Sequence, residues 1–341
     1  MPAASSLPSP AARPLRTPAT ALAILGALAL AALATFALAL AVGSVPVDLA
    51  AIPRALAGAD DTQAAIVRDL RLPRALAAFA AGGLLALAGA LMQVLLRNPL
   101  ADPYVLGISG GAAVAALAAL LVGASAVVGP AAFCGALVST LLVFGLARSA
   151  GERWAWTSTR LLLTGVVVAS GWGALIALML TLAPDAQVKG MLFWLIGDLG
   201  GATAATPALV TLAVALPGAL AFARDLNVLA RGEDVAAALG VAVARTTLVL
   251  CAVAALATAA AVTTAGSVGF VGLVVPHGLR IVIGNDQRLL LPASVLTGGT
   301  LLLLADTMAR TVAAPIQLPV GVITALVGVP VLLALLTRGR S

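Results

Sequence analysis

Long unbroken apolar stretches, separated by short polar turns, make up most of this chain. The clearest runs from Thr20 to Val42, roughly 34 Å as a helix. A cleaved signal peptide has an apolar core of only about 7–15 residues, so this stretch reads as a first membrane helix. Comparable stretches follow at 72–96, 104–123, 127–148, 160–183, 206–223, 246–265, 268–284, 291–311 and 318–337. Each is near the ~20 residues that a bilayer requires. The pattern predicts an all-α, polytopic membrane protein with about ten transmembrane helices. An apolar piece at 191–199 is too brief to span and reads as re-entrant or interfacial. Residues 1–19, rich in Pro, Ser and Ala, read as a flexible tail, and 20–341 as a single transmembrane domain.

Arginine placement orients the bundle. With an even number of spans, both termini share a side. On this topology most arginines, among them Arg13, Arg16, Arg97, Arg148, Arg153, Arg160, Arg224, Arg231, Arg245, Arg280, Arg288, Arg338 and Arg340, face that same compartment. Arg54, Arg68, Arg71, Arg74, Lys189 and Arg310 face the other. Cytoplasmic loops carry the excess of Lys and Arg, so both termini are expected in the cytoplasm. Arg54, Arg68, Arg71 and Arg74 crowd one outer segment against that trend and call for a functional explanation.

Composition narrows the chemistry. The 341 residues are 62% hydrophobic and 9% charged, against roughly 25% charged in soluble proteins. The pI of about 10.9 does not point to nucleic acid, because the chain has few aromatics and no basic helix face or soluble domain to carry such a patch. Cys134 and Cys251 stand alone in separate apolar runs, read as small buried residues, and His277 is the single histidine. A pathway for bare metal needs several His, Cys or carboxylate ligands, so a metal crossing here crosses already chelated. No metal site or cofactor is expected. The chain lacks GxxxxGK[ST], and its single lysine, Lys189, lies at an outer loop, so no P-loop can form.

Several local features carry specific chemistry. Arg71 and Arg74 sit three apart at the edge of the second span and share a face of a helix start. Snorkelling is one use for such a pair. Asp306 and Arg310, four apart, suit an ion pair within the ninth span, since intramembrane charges are usually paired. His277, after Pro276, reads as a hydrogen-bonded turn, and Asn98-Pro99 as a break whose freed backbone groups must be satisfied inside the protein. Gly82, Gly83, Gly89, Gly107, Gly110 and Gly111 allow close helix packing or motion around the second span. Thr157, Ser158 and Thr159 can cap the fifth span. The segment 224–245 is too weakly apolar to span. Gly232 breaks it, Glu233 and Asp234 favour a helix start, and Gly240 can stop that helix, which predicts two short surface helices.

RLPR (71–74), Gln93, RNPLADP (97–103), GISGGA (107–112), GSVGFVGLVVPHGLR (266–280), LLADTMAR (303–310) and LPVGVITALVGVP (318–330) occur in that order. In this order and spacing the chain closely resembles the FecCD-type permease subunits of bacterial type II ABC importers for iron–siderophores, haem and vitamin B12, from about residue 20 onward. The resemblance implies a homodimer in the inner (plasma) membrane, embedded in membrane lipid, with two separate ATP-binding cassette ATPase subunits on the cytoplasmic face. It implies a periplasmic substrate-binding protein on the other face. It assigns Arg71, Arg74 and Arg310 to binding-protein docking, and Gly232, Glu233, Ala236, Leu239 and Gly240 to contact with the ATPase. Ser158 and Thr159 fall at the cytoplasmic gate. The permease itself is expected to be no enzyme.

The main alternative is a secondary transporter driven by an ion gradient, which requires buried carboxylates along a proton or sodium path. Asp306 is the one strong candidate in the apolar spans. A polytopic membrane enzyme requires clustered His or carboxylates at a membrane surface, which the sequence lacks. Haem, a ferric siderophore and cobalamin all suit the resemblance as cargo, with an iron chelate or haem favoured because these dominate the family.

Overall fold

The computed structural model describes residues 17–59, 61–148, 158–202 and 205–338. Among them the chain runs through α1 (Pro18–Ala41), α2 (Ala51–Leu56), α3 (Thr62–Ala65), a π-helical turn at Ile66–Arg71 and α4 (Leu72–Leu95). Next come a 3-10 turn at Pro103–Leu106, α5 (Ile108–Leu121), α6 (Val128–Arg148), α7 (Ser158–Leu182) and α8 (Asp185–Ile196). α9 (Thr206–Ala221), α10 (Ala223–Leu229), α11 (Glu233–Ala238), α12 (Val243–Ala265), α13 (Val271–Ile283), α14 (Gln287–Thr311) and α15 (Val320–Arg338) complete it.

Six of these segments are long and apolar enough to cross a membrane, and α9 with α10, bent by 60°, can form a seventh. α5, α13 and α15 are shorter apolar helices. Together they are the ten stretches expected from the sequence, but three have late starts. Gly107 at φ 67 separates the 3-10 turn from α5, and Phe270 at φ 69 delays α13. Pro319 precedes α15. Backbone outside helices at membrane depth must find partners within the protein. Tyr104 provides one set: its hydroxyl donates to Val268 O at 3.0 Å and accepts from Val268 N at 3.1 Å. The piece expected at 191–199 is a longer helix, α8, that begins at Asp185 and stops where Gly197 takes φ 95.

α4 is the centre of the bundle. Its most apolar window is 89% buried, against 11% for α1 and 17% for α7. Leu- and Ala-rich sequence favours the helix, and Pro73 sits in its first turn, where no backbone N–H is needed. Small residues let α4 press directly on its neighbours. A Cβ on Gly82 would overlap the carbonyl oxygen of Gly298 on α14, and one on Gly89 would overlap that of Gly272 on α13. Gly111 and Gly135 interlock α5 and α6 in the same way. Lipid offers no hydrophobic force between helices, so such close van der Waals contact holds the bundle together.

The two cysteines differ from the sequence reading in one respect. Cys251 is buried in α12, but Cys134 is exposed. It lies on the outward face of α6, a helix with little of its apolar window covered. In a membrane an apolar residue serves equally well on that face.

Candidate docking and coupling sites at the two ends of the bundle

At one end of the bundle, four charged side chains from three elements converge. Arg71, the last residue of the π-helical turn, donates from Nη1 to Leu40 O at 2.6 Å and Ala41 O at 2.8 Å, and from Nη2 to Val45 O. These are carbonyls at and just beyond the C-terminus of α1, which have no partner within the helix. The guanidinium therefore caps α1 and complements its negative dipole end. Arg74 turns the other way. Its Nε and Nη2 grip Asp306 at 2.8–3.1 Å, and its Nη1 donates to Gln317 Oε1 at 2.9 Å. Arg310 brings Nε within 3.1 Å of the opposite oxygen of Asp306, although without the alignment of a hydrogen bond. Its Nη2 reaches Ala39 O and Thr307 Oγ1, each at 3.3 Å.

Asp306 is fully buried, and Arg71, Arg74 and Arg310 are each less than a tenth exposed. The sequence pairs Asp306 with Arg310 alone. The structure adds Arg74, so one carboxylate serves two guanidiniums. Three cations and one anion leave this buried cluster with a positive excess. A cavity of about 320 Å³ opens beside it, lined by Arg71, Arg74, Arg310, Asp69, Gln317 and the segment at Gly200–Ala202, among others. An acidic group entering there meets uncompensated positive charge in a partly desolvated setting, where charge-assisted pairing is strong. The shared helix face expected for Arg71 and Arg74 is not what brings them to the cavity. The π-helical turn ends at Arg71, and the two side chains diverge to α1 and α14.

At the other end, the segment 224–245 forms the two short helices expected, α10 and α11. Gly232 takes φ 123 and Gly240 φ 82, conformations that side-chain-bearing residues adopt only at a cost, and α11 lies between them. Ala236 is buried, whereas Val235 and Leu239 are 43% and 61% exposed. These two sit four apart on one face and leave a partly exposed apolar patch. Glu233 Oε1 meets Arg97 Nη2 at 3.2 Å, with both side chains nearly half exposed. Arg97 itself takes φ 49 at the end of α4, where Asn98 N bonds back to Gln93 O at 3.2 Å. Asn98 Oδ1 accepts from Leu100 N at 3.0 Å, so the Asn98-Pro99 break is satisfied locally.

Two sequence readings along the bundle need comment. His277 lies within α13, and its buried Nδ1 has no hydrogen-bond partner. The hydrogen-bonded turn expected there is absent, because the helix continues through Pro276. Its neighbour Arg280 donates to Gln93 Oε1 at 2.8 Å, while Gln93 Nε2 donates to Leu273 O at 3.0 Å. Ser158 and Thr159 are the first residues of α7, but their side chains, and Thr157 altogether, lie outside the described residues.

A bundle of apolar helices with a cationic pocket at one end and a surface helix pair at the other defines a polytopic membrane protein. The FecCD transport family matches residues 16–338, and the chain belongs to that family. It is 42% identical over 286 residues to the cobalamin import system permease protein of Halobacterium salinarum, covering 82% of this chain and 75% of that one. It is 40% identical to the hemin transport system permease protein of Yersinia pestis, covering 80% and 83%. It is 38% identical to the Fe(3+) dicitrate transport system permease protein of Escherichia coli, covering 81% and 86%. Among solved structures, an inward-facing ABC transporter assigned to the metal-chelate type superposes with a TM-score of 0.81 at 28% identity, covering 93% of this chain and 99% of that one.

Proposed function

We propose that this chain is the membrane-spanning permease subunit of an ATP-driven importer that carries a bulky metal chelate into the cytoplasm. The observation that carries this reading is the family match over residues 16–338, together with close relatives that are permeases for cobalamin, haemin and ferric dicitrate. These cargos share a metal already enclosed by ligands. Haem or a ferric siderophore is the favoured cargo class, with cobalamin the other. A bundle built from Ala, Leu, Val and Gly suits them, because weak apolar contact lets a large cargo leave again.

In this reading the chain works as a homodimer in the plasma membrane with both termini in the cytoplasm. ATP is hydrolysed by two separate ATPase subunits that grip the α10–α11 segment, with Gly232, Glu233, Ala236, Leu239 and Gly240 forming the contact. A periplasmic binding protein delivers cargo and presents acidic groups to the pocket at Arg71, Arg74 and Arg310. Ser158 and Thr159 stand at the cytoplasmic gate. The sparsely buried α7 offers an apolar face for the second protomer. The test is reconstitution in proteoliposomes with a cognate ATPase and binding protein, offering haem, a ferric siderophore and cobalamin in parallel. ATP-dependent accumulation of one of them supports the reading. Accumulation driven instead by an imposed proton or sodium gradient, without the ATPase, overturns it.

A further inference from the structure

α10 is joined to the start of α14 by one side chain. Asn227 Oδ1 accepts from Gln287 N at 2.8 Å, and Asn227 Nδ2 donates to Asp286 Oδ1 at 2.9 Å. The orientation of the amide is fixed by these partners, since a backbone N–H can only donate and a carboxylate can only accept. Asp286 Oδ1 in turn accepts from Arg288 N at 3.1 Å as the N-cap of α14. Two N–H groups left without partners at a helix start are thus taken by Asn227 and Asp286 together. Beneath this junction Leu226, Leu229 and Gln287 are buried.

From there α14 runs as one helix to Thr311. It is locked to α4 by the overlap-tight pair Gly82 and Gly298. Near its far end stands Asp306, which holds Arg74 and Arg310. Among the described residues an ion pair also reaches the surface helices, Arg97–Glu233, with 49% and 43% of the side chains exposed. Exposed pairs of this kind contribute little. A half-buried amide that completes a helix cap is the firmer connection.

We infer that Asn227 is the positioning residue that clamps the surface segment to α14, so that movement of α10 is delivered to a helix whose outer end organises the arginine pocket. This rests on the reading of 224–245 as the segment gripped by the ATPase, but the clamp itself is testable without any partner.

The test is a residue swap in the full-length chain. Asn227→Asp places two carboxylates against each other and removes the donor. Asp286→Asn alone is tolerated, because its amide oxygen still accepts from Asn227 and Arg288. In the double variant the two carboxylates no longer face each other and the acid at position 227 still accepts from Gln287 N. The amide at position 286 keeps one of two bonds, because a single oxygen of Asp286 accepts from both Asn227 and Arg288 in the wild type. Hydrogen exchange in the isolated chain is the first readout. Asn227→Asp accelerates exchange in residues 223–230 and 287–290 together by about tenfold, Asp286→Asn leaves it near wild type, and the double variant, relieved of the repulsion, restores part of the protection. The second readout is cargo imported per ATP hydrolysed in the reconstituted complex, which falls with Asn227→Asp and recovers in part in the double variant. Unchanged exchange in Asn227→Asp overturns the clamp, as does failure of the double variant to recover. Should Asn227→Asp fail to assemble, recovery or its absence in the double variant decides in the same way. Absence of ATP-driven uptake by wild type counts against the permease reading instead, and leaves the exchange result to judge the clamp.

Discussion

Arg74 and Asp306, 232 positions apart in sequence, meet in a two-pronged ion pair at 2.8–3.1 Å. The contact joins the start of α4 to the end of α14, two helices packed closely through Gly82 and Gly298. Asp306 also neutralises Arg310. A carboxylate buried between two guanidiniums is strongly held because its removal leaves both cations without a counter-charge in a poorly solvated place.

Asp306→Asn is therefore expected to lower the stability of the folded chain by about 3–5 kcal/mol, read as a fall in melting temperature in detergent. Replacing the whole set, with Arg74→Met, Asp306→Leu and Arg310→Met, restores most of that loss while abolishing capture of the binding protein. A triple variant that still captures it places docking elsewhere.

Arg71 has a different task, and its variants separate differently. Arg71→Met leaves three carbonyls at the end of α1 without their donor, at a cost of about 1–3 kcal/mol. Hydrogen exchange rises in residues 40–48 and not around Asp306. The double reversal Arg71→Glu with Arg74→Glu weakens binding-protein affinity in a low-salt pull-down by about 2–5 kcal/mol. Unchanged affinity reduces both arginines to a structural role.

Packing glycines and open glycines make a direct contrast. Gly89→Ala drives a methyl into the backbone of α13, where neither partner can yield, and costs about 3 kcal/mol or more. Gly171→Ala, on α7, meets nothing within 4 Å and gains up to about 1 kcal/mol in helix propensity. Melting temperatures of the two variants, measured side by side, check both signs.

Gly240 tests the surface segment. Its φ of 82 makes Gly240→Val a backbone strain of about 1–2 kcal/mol at an exposed point with open space around it. Assembly with the ATPase is expected to survive, basal hydrolysis to persist and uptake to collapse. Equal loss of hydrolysis and uptake, with the complex dissociating, marks the segment as a docking surface only.

The apolar stretches were legible because lipid demands them: a residue facing hydrocarbon and one facing a neighbouring helix both read as apolar. The same ambiguity hid which faces are buried, so Cys134 reads as interior from sequence yet is exposed. The breaks were half legible. Gly232 and Gly240 announced α11, whereas nothing in Phe270 signals its positive φ, which is imposed by packing. At the arginine pocket the sequence pointed to Arg71 and Arg74 through their crowding on the side expected to be poor in arginine, and to Arg310 through the family resemblance. It could not show that Arg71 caps α1 or that Arg74 shares Asp306, because both contacts depend on how distant helices meet. Asn227 gave no signal at all, since its worth lies in a partner at Asp286 on another element.

The central claim is that this chain moves cargo but does not itself hydrolyse ATP. The direct measurement is ATP hydrolysis and cargo uptake in the same proteoliposomes, first with the chain alone and then with its ATPase and binding protein. The account predicts neither activity from the chain alone and both from the complete complex. ATP turnover by the purified chain, or uptake that proceeds without the ATPase, contradicts it.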